Sequence, residues 1–126
     1  MTHPTLTLAT VLPVFEALVA ENPKFVYTKP EGTRVCRYAW NGAPSCGVGQ
    51  VLHKLGWSVK ELEDLDAHLP SPIIGSLVNR NIIVADAKAA EVLRVFQLKQ
   101  DAVYSWEESL LEAKKAAKIP MPKEDD

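Results

Sequence analysis

Nowhere does the sequence hold an apolar run near the roughly 18–20 residues that a helix needs to cross a bilayer, so no membrane span is expected. Its first residues, Met1 through Leu8, also lack a cationic patch followed by an apolar block. No secretory signal is therefore expected, and the cytoplasm is the expected location. Cysteine is scarce: Cys36 and Cys46 could pair only in an oxidising compartment, and in a reducing one they are expected as free, buried thiols. A strong charge of either sign is missing too, and the formal net charge of −2 argues against a general polyanion binder.

The usual ligand-binding spacings are absent as well. Nine residues separate Cys36 from Cys46 and six more separate Cys46 from His53, without the close ligand pairs of a structural zinc site. Gly47-Val48-Gly49 has neither the third glycine nor the preceding strand junction of a dinucleotide-binding loop. Neither a metal nor a cofactor is therefore expected. There are no internal repeats, low-complexity tracts or linkers. At 126 residues, 47% of them apolar, the chain is long enough for one core and too short for two independent ones. We expect one globular domain over residues 1–118 and a disordered tail over 119–126, which holds two prolines and ends in acids.

What is there concentrates in residues 34–57, which carry both cysteines and two of the three tryptophans. Six bases (Lys24, Lys29, Arg34, Arg37, Lys54, Lys60) lie around this stretch against one acid, Glu31, and an acidic run from Glu61 to Asp66 follows directly. Such a split makes a dipolar surface that can steer a charged partner.

The chain on either side reads as scaffold. Thr10 is placed to cap a helix to about Glu21, with Pro13 in its first turn and Val11, Val14, Phe15, Leu18 and Val19 along one stripe. Residues 24–27 and 35–40 are rich in aromatic and β-branched side chains and read as two strands of a hairpin with a longish loop. Strand alternation then sets Cys36, Tyr38 and Trp40 on one face, expected to pack into the core, and Arg37 and Ala39 on the other. Asn41-Gly42 is a turn signal leading out of that strand. Gly47 to Leu55 reads as a helix stopped by Gly56, and Ser58 to Glu61 as a capping box for a short acidic helix. Ser71-Pro72, Asp86 and Ser105 mark three further helix starts, and residues 82–84 are candidates for a third short strand. The fold class that results is α+β and α-rich, a β-hairpin packed against about five helices.

Two kinds of chemistry could be read into the central stretch. Cys46 at a helix N-terminus faces the positive end of the helix dipole, which favours a nucleophilic thiolate. A hydrolase or transferase would also need a base, and His53, seven residues on, stands about 10 Å away along the helix axis, leaving His68 or His3 through tertiary folding. A nucleophile without a positioned base weighs against an enzyme. Gly47 and Gly49 in the first helical turns cost helix stability and signal close approach of another element or a ligand. The joint at residues 55–58 has the look of a helix-turn-helix corner, but its second helix offers Glu61, Glu63, Asp64 and Asp66, which phosphates would repel, so nucleic acid is not the expected partner.

Cys36-x-Tyr38, then Gly42-x-Pro44-Ser45-Cys46-x-Val48-Gly49-x-x-Leu52-x-x-Leu55-Gly56, and later Ala90-x-Val92-Leu93-x-x-x-Gln97-x-x-Gln100-Asp101 with Trp106, resembles a family of small proteins of actinobacteria and their bacteriophages. No activity or ligand comes with that family. The chain departs from its pattern at Gly47, where a bulkier apolar residue is typical, and at Ala102-Val103, where a glycine is. The resemblance implies a phage-encoded, cytoplasmic accessory protein that works by binding a host or viral protein. Arg34, Arg37, Pro44, Ser45, Cys46, Gly47 and Gly49 are the expected binding residues. A Cys46-dependent enzyme and a metal- or small-ligand-binding module are the alternatives.

Overall fold

In chain order the described residues form α1 (Leu8–Glu21), β1 (Ala39–Trp40), β2 (Ala43–Pro44), α2 (Gly47–Lys54), α3 (Val59–Asp66), α4 (Ile74–Asn79), α5 (Ala87–Asp101) and α6 (Trp106–Ala116). The structure is a computed structural model and describes residues 3–29, 36–69 and 71–119. An α-rich α+β fold is the result, with six helices and one antiparallel two-stranded sheet among the described residues.

Four helices start on caps supplied by their own sequence. Thr7 with Thr10, Ser58 with Glu61 and Ser105 with Glu108 form capping boxes, and Asp86 accepts the Ala89 N–H. The first helix thus begins three residues before the expected Thr10 cap, because Thr10 is the reciprocating partner of Thr7 rather than the cap itself. Pro13 then lies inside α1, where its missing N–H leaves the Ala9 carbonyl without an intrahelical donor; both residues are exposed, so that carbonyl is on the solvent side.

The other two helices have no side-chain cap of their own, and α5 supplies both. Gln100 Oε1 accepts the Gly47 N–H at the start of α2 at 2.8 Å, and Gln97 Oε1 accepts the Ile74 N–H at the start of α4 at 2.8 Å. This explains why α4 begins at Ile74 and not at Ser71-Pro72. The Ser71 hydroxyl accepts from Ile73 before the helix, and the first helical amide goes to α5 instead.

Four of the helices end in the same way. After α2, α4, α5 and α6 the chain turns through a left-handed residue, Gly56 (φ 108), Asn81 (φ 59), Val103 (φ 61) and Lys118 (φ 58), and the next amide reaches back to the carbonyl five residues earlier. Glycine and asparagine suit that conformation; a β-branched valine does not. Val103 is also 66% exposed, so its side chain gains little burial in return. We expect Val103→Gly to stabilise the protein by roughly 0.5–1 kcal/mol, relief of left-handed strain exceeding the added freedom of the unfolded chain. A denaturant midpoint that falls below that of the parent would contradict this.

The hairpin is not where alternation placed it. Asn41 (φ 53) and Gly42 (φ 79) make a two-residue turn with both dihedrals positive, so the turn signal joins β1 to β2, pairing Ala39 with Pro44 and Trp40 with Ala43. The expected first strand is bound elsewhere: Val26 bridges Ser105, and the Phe25 and Pro23 carbonyls accept the Trp106 and Glu107 amides that α6 leaves free at its start. Residues 30–35, including Val35 of the expected second strand, lie outside the described residues. The segment read as a third strand does not join the sheet; a single parallel bridge, Leu6 with Ala85, ties it to the N-terminal segment. The tail read over 119–126 lies outside the described residues from 120 onward, while Ile119 packs against the core.

The core brings together α1, α2, α5 and α6, with Phe15 of α1 and Phe96 of α5 in tilted contact at 4.6 Å between ring centroids. Burying side chains of that size is the main source of stability, roughly 1.5–3 kcal/mol each.

Candidate functional site

Behind the hairpin lies one connected polar network, built around Cys36, Tyr38, Gln97, Gln100 and Asp101. Gln97 Nε2 donates to the Tyr38 hydroxyl at 3.0 Å and to Cys36 Sγ at 3.1 Å; the Tyr38 hydroxyl in turn donates to the Pro72 carbonyl. Gln100 Oε1 accepts from Gly47 and from the Trp106 indole at 3.1 Å, and Asp101 Oδ2 accepts the Cys36 N–H at 3.3 Å. Both glutamines are buried. Buried amides of this kind hold only when their partners are in place, so the network fixes α2, α4 and α6 against α5 in a single arrangement.

The two cysteines belong to this network as free, fully buried thiols. Burial pushes the Cys36 thiol well above its ordinary range, and the adjoining Cys46 thiol pushes it further. No hydrogen bond joins Cys46 to a histidine among the described residues: His53 Nδ1 lies 2.9 Å from the Trp57 carbonyl, and His68 is half-buried beyond the end of α3. His3 is stacked on the Trp57 ring at 4.0 Å and lies 2.7 Å from Glu61. Groups of three or more His, Cys, Asp or Glu side chains placed to hold a metal are absent among the described residues.

Gly47 and Gly49 are buried for a reason visible in the geometry. A Cβ at Gly49 would stand 2.2 Å from the Tyr38 carbonyl oxygen, and one at Gly47 would stand 2.4 Å from the Phe96 ring. Other elements of the protein make the close approach at both glycines. Cys46, Gly47 and Gly49, read from the sequence as contact residues, are instead buried within the fold. Pro44 and Ser45 are half-buried, with the Ser45 hydroxyl 3.3 Å from that of Tyr27, and Arg34 lies outside the described residues.

What remains at the surface is the hairpin. Trp40 is 42% exposed, and Arg37 lies with its guanidinium carbon 5.6 Å from the centre of the Trp40 ring. Alternation missed Trp40 because the strand is interrupted just before it. Asp66 Oδ1 accepts the Tyr38 N–H at 2.8 Å and Asp66 Oδ2 the Ala39 N–H at 3.1 Å, so two successive amides point the same way. In a regular strand they would point apart. Ala39 thereby joins Tyr38 in the core and Trp40 turns outward. Asn41-Gly42 was the signal that could have revealed this, since it ends a two-residue hairpin arm immediately after Trp40.

The brace has an electrostatic cost. Burial pushes the Asp66 carboxyl above its ordinary 3.8, against the pull of the two amides and of Arg37, whose Nε lies 3.6 Å away. A carboxyl raised by folding holds its proton more tightly in the folded chain, so its contribution to stability declines as pH rises from about that value. Its hydrogen bonds work in the other direction. Removing them with Asp66→Ala is expected to cost about 2 kcal/mol, since two amides lose their acceptor. Amide hydrogen exchange at Tyr38 and Ala39 should accelerate more than at α5, and equal protection in both proteins would refute the brace.

Compared with protein-family models, curated proteins and solved structures, the chain has no significant match.

Proposed function

We propose that this chain is a non-enzymatic accessory protein, cytoplasmic and phage-encoded as the family resemblance implies, that binds a protein partner through its β1–β2 hairpin. The observation that carries this reading is a solvent-facing tryptophan with an arginine over its ring, held from behind by a buried carboxylate. Tryptophan and arginine dominate the energetic centres of protein interfaces, and a rigid turn presents them at little entropic cost. The burial of Cys46 favours a structural over a nucleophilic role, because a nucleophile must reach its substrate.

Two variants test this. Partner capture from host lysate should be lost with Trp40→Ala, at an exposed position, and with Arg37→Glu, at a half-buried one, and kept with Lys115→Ala on the exposed side of α6. Capture that is indifferent to the hairpin variants would reject the hairpin as the binding surface. Rapid alkylation of Cys46 in the folded protein would instead favour the thiol-dependent reading.

A further inference from the structure

A second surface, separate from the hairpin, runs along α5 beside α4. Glu91, Arg94, Leu98 and Asp101 recur at intervals of three and four residues, so they share one helical face. Leu98 is 57% exposed in the middle of that face and Ile73, just before α4, is 43% exposed across from it. Between them lies a cavity of about 330 Å³ lined by Ile73, Gly75, Arg94, Gln97, Leu98 and Asp101. Gly75 lines it beside the Arg94 stem, where even an added Cβ would make only ordinary contact at 3.5 Å.

The charges on this groove are ordered. Arg94 stands toward one end, held by Glu91 at 2.9 and 3.0 Å, and Asp101 stands toward the other, seven residues or about 10 Å further along the axis. Lys29 also acts on Asp101, as do the Cys36 amide and the Gln100 side chain, through bonds of 3.3 and 3.4 Å. An apolar centre with opposite charges at its ends is complementary to itself turned end for end. A ligand of one charge sign would meet repulsion at one end of the groove.

We propose that the occupant of this groove is a second copy of the chain, with the two α5 helices antiparallel about a two-fold axis near Gln97 and Leu98. In that arrangement Arg94 of each copy meets Asp101 of the other, and each Leu98 enters the cavity between Ile73 and Leu98 across the axis. One face pairing with itself is the isologous contact that twofold symmetry demands. The apolar part is small, so the dimer belongs to the weak, transient class, on the order of micromolar or weaker.

Sedimentation of the full chain, from dilute solution to near-millimolar concentration, tests this directly. The wild type is expected to shift from monomer to dimer, more readily at low salt than at high salt. Leu98→Glu, at an exposed position, should keep its circular dichroism spectrum and remain monomeric throughout. Arg94→Glu alone should weaken association about tenfold or more by setting two like charges opposite each other at both ends. Asp101→Lys should do the same, and an equimolar mixture of the two variants should recover association, because the swapped charges then oppose each other correctly. Since Asp101 also holds the Cys36 amide, its variant is used only if its spectrum is native; Leu98→Glu and Arg94→Glu otherwise decide. A wild type that stays monomeric, or a dimer that survives Leu98→Glu, overturns the proposal.

Discussion

Gly49→Ala is expected to cost about 3 kcal/mol or more and to leave little folded protein, although alanine is the better helix former by roughly 1 kcal/mol. The added methyl would lie 2.2 Å from the Tyr38 carbonyl oxygen and 2.8 Å from the carbonyl carbon and Cα behind it. These are backbone atoms, so no rotamer change relieves the clash. Tyr38 is held from every direction as well: its amide by Asp66, its carbonyl by the Ser45 N–H at 2.9 Å, and its hydroxyl by Gln97 and Pro72. At Gly47 the obstacle is the Phe96 ring, a side chain that can shift within the core, so Gly47→Ala should be the milder of the two. Denaturant unfolding of both variants checks the order. A Gly49→Ala protein within about 1 kcal/mol of the parent would mean that α2 can move off the hairpin, and with it the view that Trp40 is rigidly presented.

The same two glycines show what the sequence could and could not disclose. Their cost to a helix announced that something approaches the first turn of α2, and the periodicity of α1 announced which of its faces would be buried. These are local signals, carried by a few neighbouring residues. The capping box at Ser58 and the helix start at Ser105 were legible for the same reason. The errors fall where a distant residue decides. Ser71 looked like a cap, but Gln97 on α5 caps α4; residues 24–27 looked like a hairpin strand, but α6 takes the Phe25 carbonyl; Trp40 looked buried, but Asp66 breaks the alternation ahead of it. Nothing in the spacing of Gln97 and Gln100 says that each will complete another helix, so their role was visible only once the fold had been seen. It follows that Cys36, Tyr38, Gly47, Gly49, Gln97 and Gln100 lock the fold, and a search for function among them leads inward. The residues that could act on a partner, exposed Trp40 and half-buried Arg37, stand between those positions or next to them.

Gln100→Leu should be as damaging as Gly49→Ala for the opposite reason, since it fits the space and fails in its hydrogen bonding. Leucine fills a fully buried position without strain, but it abandons the Gly47 N–H and the Trp106 indole N–H, both of which point at Gln100 Oε1 in the interior. Each buried donor left without an acceptor costs about 1–3 kcal/mol, so roughly 3–5 kcal/mol is expected for the pair. Gln100→Glu separates hydrogen bonding from shape. Its carboxyl keeps an acceptor for both donors, but at neutral pH it adds a buried negative charge next to Asp101, whose own carboxyl burial already raises. The glutamate variant should therefore be unstable at neutral pH and recover as pH falls and the new carboxyl takes up a proton, whereas the leucine variant should gain nothing from acidification. Parallel unfolding curves for the two variants at pH 7 and pH 5 distinguish these outcomes. If both respond to pH alike, the two donors have found other partners, and Gln100 is not what holds α2 and α6 to α5.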